Sequence, residues 1–277
     1  MTRYKLILEY DGTNTVGWQT QADGVSVQSL VQDAIFQFCG ERTEVVACGR
    51  TDAGVHAIAM AAHFDIEKES EPDTIMAAVN FYLNGAPPFA EASGGRPVAV
   101  LSCEQVDSEF HARFDCKMRH YKYIILNRRA PVVLDKNRVW WMPRHLDVDA
   151  MRRAAGRLVG EHDWTSFRAA ECQAKSPIKT LDKVEIKTIP GPFHPSPQAV
   201  PRLWIPGSAA QPRNDTIVLE FSARSFLHHQ VRNMVGTLVE IGLGKPYDID
   251  EIFAAKNRKF AGPTAPAGGL YFVSAEY

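Results

Sequence analysis

Between residues 4 and 106 the hydrophobic period switches in the order strand, helix, strand, strand, helix, strand, and that order leaves few folds open. In YKLILEY (4–10), Tyr4, Leu6, Leu8 and Tyr10 fall on one face at the two-residue period of a half-buried strand. Val27, Leu30, Val31, Ala34, Ile35 and Phe38 then recur at helical spacing, with Ser26 placed to cap the start and Gly40 to end it. Residues 44–48 and 57–67 read as strands, 73–83 as a helix and 97–106 as a strand. This is the split βαβ, ferredoxin-like order, with two helices on one face of an antiparallel sheet. The other face must be covered or used, and RNA-binding versions of the topology use it.

The second half repeats the theme with additions. Residues 119–127, 137–143, 180–189, 216–223 and 269–277 read as strands, with 180–189 paired to 216–223. Met151 to Val159 and Leu227 to Ile241 carry helical spacing, and a shorter helix lies near 248–258. The expected class is α+β: two related ferredoxin-like, RRM-like halves whose antiparallel sheets flank a central cleft. The expected division is into residues 1–107 and 108–277. Two segments read as insertions. Residues 85–95 have loop composition, and 190–212 holds 7 of the chain's 17 prolines, which bars helix and central strand.

Several classes are disfavoured. No apolar run approaches the ~18 residues of a membrane span, and the N-terminus lacks a secretory signal's layout. The five cysteines are scattered, odd in number and never paired as C-x-x-C, which points to reduced thiols. A cytoplasmic protein without a membrane partner is expected. The net charge of −1 hides an asymmetry: residues 1–100 carry 6 Lys/Arg against 13 Asp/Glu, and residues 101–277 carry 25 against 19. Within FHARFDCKMRHYKYIILNRR (110–129), six Lys/Arg interleave with Phe110, Phe114, Tyr121 and Tyr123. Such a mixture suits a polyanion whose bases can stack; ordinary solvated strand residues are the competing reading.

Chemistry centres on CGRTDAGVHA (48–57). Asp52 lies in a glycine-bracketed turn leaving a strand. An aspartate there is commonly a turn former, but Arg50 is close enough to pair with it, and Thr51 and His56 offer hydrogen bonds. No second carboxylate is present, which argues against two-acid glycosidase chemistry. In SFLHHQVRNMVG (225–236), a helix puts His228, Arg232 and Gly236 on one side. Arg232 is a candidate carboxylate partner, whereas adjacent His228 and His229 cannot both face one ion from a helix, so no metal site is expected. Tyr121 reads either as a core tyrosine or as a platform for a base. In APAGGLYF (265–272), Gly268 and Gly269 would let backbone approach a ligand, with Leu270 as an apolar wall. No P-loop, G-x-G-x-x-G or G-x-S-x-G motif occurs, so no cofactor is expected.

Taken together and in order, LEYDGT, GWQ, GRTDAGVHA, FHARF, RHYKYIILN, SFLHHQVRNMVG and GLYFV resemble the tRNA pseudouridine synthase A family across almost the whole chain. The resemblance implies a homodimer in which one tRNA touches both subunits. It implies isomerisation of uridine to pseudouridine in the anticodon stem-loop, at tRNA positions 38, 39 and 40. It implies Asp52 as the catalytic residue, Tyr121 against the target base, Arg232 paired with the aspartate, and Arg50 helping to hold the flipped nucleotide. Nothing is oxidised and nothing leaves, so neither cofactor nor metal is implied. Whether the aspartate acts as nucleophile or as base stays open.

Overall fold

The fold was analysed in a computed structural model that describes residues 1–85, 97–190 and 214–277. Both expected insertions fall almost wholly outside these residues. Strand β1 (Thr2–Tyr10) buries Tyr4, Leu6, Leu8 and Tyr10, the face its alternation predicts. Helix α1 (Val27–Cys39) starts at Ser26, whose side chain accepts from the Ser29 amide at 3.0 Å, and stops at Gly40 with φ 77°. Strands β2 (Val46–Ala47), β3 (His56–Ile66) and β4 (Val98–Val106) and helix α2 (Pro72–Gly85) complete the first half. β3 pairs antiparallel with β1, and β1 with β4.

The second half contributes β5 (Met118–Arg128), β6 (Trp140–Met142), α3 (Val148–Gly156), β7 (Gly160–Asp163), β8 (Ile178–Leu181), β9 (Lys183–Pro190), β10 (Asn214–Ala223), α4 (Gln230–Gly242), α5 (Ile249–Ala255) and β11 (Leu270–Glu276). The pairing of β9 with β10 is as expected. The stretch 180–189 is interrupted at Asp182, so its first residues belong to the small β7–β8 sheet. That hairpin escaped the hydrophobic pattern because its strands are four residues long and mostly polar.

The sheet runs without a break through both halves, in the order β4–β1–β3–β11–β5–β10–β9, with β2 also on β3 and β6 on β5. The expectation of separate sheets flanking a cleft did not foresee this continuity. The closing strand makes it. β11 pairs antiparallel with β5, and through Tyr271↔His56 and Phe272↔Ala57 it lies parallel to the start of β3. β3 has that edge to offer because β2 covers it only at His63 and Ala62. The result is a mixed α/β fold with one large, mostly antiparallel sheet and five helices among the described residues. One apolar core runs along it, from Tyr4 and Leu6 in β1 to Leu219 and Phe221 in β10. Among the described residues no helix is long and apolar enough to cross a membrane, and the five cysteines are free thiols.

The segment joining the halves is tied down by buried His63 of β3. Its Nδ1 accepts the Ala112 amide at 3.1 Å, and its ring packs edge-on against Phe110 and His111. Burial, with Arg3 and His111 nearby, lowers its pKa to about 4 against the opposing pull of Asp65 and Asp115. The unfolded chain takes up a proton here below pH ~6.5 that the folded chain refuses until pH about 4. Stability is therefore expected to fall as pH drops through that window. Replacing His63 by Gln, which can still accept the amide, should flatten this part of the stability–pH curve in urea denaturation. An unchanged slope would remove His63 as its source.

Candidate active site

Asp52 owes its position to two clamped loops. The Trp18 amide binds the Thr51 carbonyl at 3.0 Å, and the Thr51 hydroxyl meets the Tyr10 hydroxyl at 2.8 Å in the core. The Val55 amide closes the turn on the Asp52 carbonyl at 3.1 Å, with Gly54 at φ 79°. Loop 11–17 presses directly on this turn. A Cβ on Gly12 would lie 2.1 Å from the Val55 carbonyl oxygen, and one on Gly17, at φ 99°, would lie 2.5 Å from that of Thr51. Thr51 and His56 thus serve the scaffold rather than the carboxylate. His56 Nδ1 lies 3.1 Å from the Gly12 amide, its Nε2 lies 2.9 Å from the Asn137 carbonyl, and its ring stacks on Tyr271.

The second half delivers the partners. Arg232 of α4 donates from Nη1 to Asp52 Oδ2 at 2.9 Å, across 180 residues of sequence. It donates from Nε to the Ala265 carbonyl at 2.8 Å, and its own carbonyl accepts the Ala265 amide at 3.1 Å. Held at two points, the guanidinium cannot swing away from the carboxylate. Arg50, the nearer arginine in sequence, is exposed and makes no ion pair or hydrogen bond among the described residues.

The histidines are where the sequence argument misjudged the geometry. α4 begins at Gln230, and His229 precedes it in the left-handed conformation at φ 61°. Freed from helical spacing, both imidazoles reach Asp52: His229 Nε2 is 3.2 Å from Oδ2 and His228 Nε2 is 3.4 Å from Oδ1. Burial lowers the His229 pKa, against the pull of Asp52, and a neutral ring protonated on Nε2 can still donate. The three side chains offer metal-ligand atoms within 4.8 Å of one another, which the helical argument had dismissed. Arg232 already places a fixed cation on the same carboxylate, and a second cation there would be repelled.

Tyr121, in β5, is 8% exposed and wedged edge-on between Phe226 at 5.0 Å and Phe272 at 5.2 Å. It has both characters that the sequence offered as alternatives. The ring is core. The hydroxyl has no hydrogen-bond partner among the described residues, yet no buried side-chain polar atom among them lacks one, so solvent reaches it. It lies beside Gly49, whose Cβ would sit 3.8 Å away, and burial pushes its pKa up. Leu270 is buried opposite Tyr123 where β11 begins. Gly268 and Gly269 make their close approaches to the Asn137 backbone and the Tyr123 ring, so these three residues pack the protein's interior.

A carboxylate held between a fixed arginine and two imidazoles is equipped for nucleophilic or proton-transfer chemistry. Comparison with known proteins narrows this. A family model described as tRNA pseudouridine synthase matches residues 154–277. The chain is 47% identical over 279 residues to tRNA pseudouridine synthase A of Rhodospirillum centenum, covering 100% of both chains. It is 43% identical to tRNA pseudouridine synthase A of Paramagnetospirillum magneticum, covering 100% of this chain and 96% of that one. The chain belongs to the tRNA pseudouridine synthase A family, a family of isomerases.

The register of Arg232 depends on Gly236, one turn further along α4. A Cβ there would lie 1.7 Å from the Pro263 carbonyl oxygen, in the loop that supplies Ala265 to Arg232. Gly236→Ala is expected to cost about 1–3 kcal/mol by overpacking, and to displace Arg232 from Asp52. Urea denaturation tests the first part; an unchanged midpoint would mean that loop 263–265 yields freely.

Proposed function

We propose that the chain isomerises uridine to pseudouridine in the anticodon stem-loop of tRNA, at positions 38, 39 and 40, with Asp52 as its catalytic residue. The observation that carries this is the Arg232–Asp52 pair, half-buried at the junction of the two halves in a chain of this family. The target uridine must leave its stack before its N1–C1′ bond can break. Arg50 meets the phosphate backbone of the flipped nucleotide in this reading, which its exposure and lack of a partner among the described residues support. Tyr121 meets its base through the solvent-reached hydroxyl. The base then turns and C5 bonds to C1′, with the C5 proton lost to solvent and the N1 position regaining one. Every atom of the nucleotide is otherwise kept, so the reaction calls for no co-substrate. Asp52 Oδ2 is engaged by Arg232 and His229, whereas among the described residues Oδ1 has only the longer approach of His228, which leaves Oδ1 the freer oxygen to act.

In the same reading, residues 1–107 form the domain that carries the aspartate and residues 108–277 the one that carries the basic surface. The neighbour order β4–β1–β3–β2 supports a ferredoxin-like first half. The homodimer and the cytoplasmic setting rest on family kinship. Leu270 enters only as a buried support beneath the site.

Asp52→Asn is expected to lower tritium release from tRNA labelled at uridine C5 by roughly 10²–10⁴-fold, with tRNA binding nearly intact. Undiminished release would sink the assignment. For Tyr121 the informative change is to Phe, because Ala would open a core cavity and cost several kcal/mol of stability. Tyr121→Phe should lower turnover about tenfold or more with the thermal midpoint unchanged; normal turnover would confine the residue to packing.

A further inference from the structure

We propose that an open pocket lined by Phe114, Asp115, Cys116, Lys117 and Arg224, in segments that Arg119 ties to the chain leading to Asp52, holds a second nucleotide of the tRNA, one that flanks the reacting uridine. Its base lies against Phe114 and its phosphate between Lys117 and Arg224. The inference rests on the tRNA reading above and adds a subsite to it.

Exposure singles out Phe114. Of the aromatics interleaved in 110–129, Tyr121 and Tyr123 are buried and Phe110 packs against Tyr277 at 5.0 Å. Phe114 is 71% exposed. It is nonetheless held in place, with the His111 ring 4.2 Å away and the Arg113 guanidinium 5.8 Å from its centroid. A largely bare aromatic ring fixed at a pocket wall is what base stacking requires.

Charge points the same way. Lys117 and Arg224 are exposed and have no carboxylate partner among the described residues. The pocket's one acid, Asp115, accepts the His111 amide at 2.7 Å in the turn that presents Phe114, and its single charge is outnumbered by the two cations. The volume, about 380 Å³, lies within the ~300–1,000 Å³ typical of small-ligand sites.

Arg119 ties the segments that frame the pocket to those that carry the site. Arg119 donates to the carbonyls of Cys48, Arg113 and Arg224. Cys48 is four residues before Asp52, and Arg224 is four residues before His228. The segments that frame the pocket therefore run straight into the catalytic carboxylate and its imidazole neighbour.

The test is equilibrium binding of an unmodified tRNA transcript at several salt concentrations, with steady-state turnover on the same tRNA. Phe114→Ala should weaken binding about tenfold or more and raise KM while leaving kcat at saturating tRNA unchanged, and Phe114→Trp should restore affinity. The double change Lys117→Gln, Arg224→Gln should reduce the slope of log Kd against log salt by about 1–2. Circular dichroism and the thermal midpoint should stay as they are, because all three side chains are exposed. If the unsubstituted protein binds and converts tRNA and Phe114→Ala matches it, the pocket proposal is overturned and the function stands. If Phe114→Ala instead alters the sedimentation of the protein with tRNA affinity unchanged, the face belongs to a contact between copies and the proposal is equally overturned. An unsubstituted protein that neither binds nor converts tRNA would overturn the function, and this subsite with it.

Discussion

The architecture of the site depends on a buried cation that has no carboxylate partner among the described residues. Arg119 is 9% exposed, and its guanidinium is satisfied by the carbonyls of Cys48, Arg113 and Arg224. These carbonyls belong to the bend between β2 and Asp52, to the link between the halves, and to the residue that follows β10. One planar fork with five donors can reach three chain segments at once, which a lysine's point charge cannot do with fixed geometry. The cost of desolvating the cation is offset only while all three segments are in place. Arg119 therefore makes the approach of the two halves cooperative. β11 does the same through backbone hydrogen bonds a few residues away, by pairing with β5 on one side and β3 on the other.

With the scaffold closed in this way, the carboxylate's surroundings follow. Asp52 sits on a turn that two glycines allow loop 11–17 to cover, and Arg232 sits on a helix that Gly236 allows loop 263–265 to touch. Each glycine admits backbone where a side chain would collide, so the precision of the Asp52–Arg232 pair comes from contacts that leave no slack. Charge-assisted hydrogen bonds gain most from such preorganisation, because neither partner must be ordered when substrate arrives.

Legibility in the sequence tracked the range of the interaction involved. The alternation in β1, the Ser26 cap and Gly40 stop of α1, and the pairing of β9 with β10 are local or repetitive signals, and the fold agrees with them. The continuous sheet was not legible, because nothing in GLYFV marks a strand with a second, parallel neighbour. Asp52 was legible only as one of two readings of a turn. The collinear motifs, not the turn itself, raised it above a hairpin residue. His228 and His229 were visible but misplaced, since helical periodicity was extended two residues too far; a histidine at φ 61° has no periodic signature. Arg119 and Phe114 were both counted as parts of one basic, aromatic stretch, and only packing separates the buried clamp from the exposed ring.

That separation changes what the charge asymmetry means. Of the six Lys/Arg in 110–129, Arg119 is consumed by carbonyls, Arg128 reaches the carbonyls of Ala130 and Pro131, and Lys122 is half-buried over the Tyr271 ring. Elsewhere Lys183 and Lys187 are committed to Glu185 and Glu220. A count of basic residues thus overstates the positive field that a polyanion would meet. Arg50, Lys117 and Arg224 are exposed and uncommitted among the described residues, and they belong to segments that lead to Asp52 or His228 or are tied to them by Arg119. Phosphates neutralised there would release counterions without breaking any bond that the fold needs. In the proposed reading, recognition and folding draw on different arginines: the exposed side chains of Lys117 and Arg224 make no bond among the described residues, whereas Arg119 holds three segments.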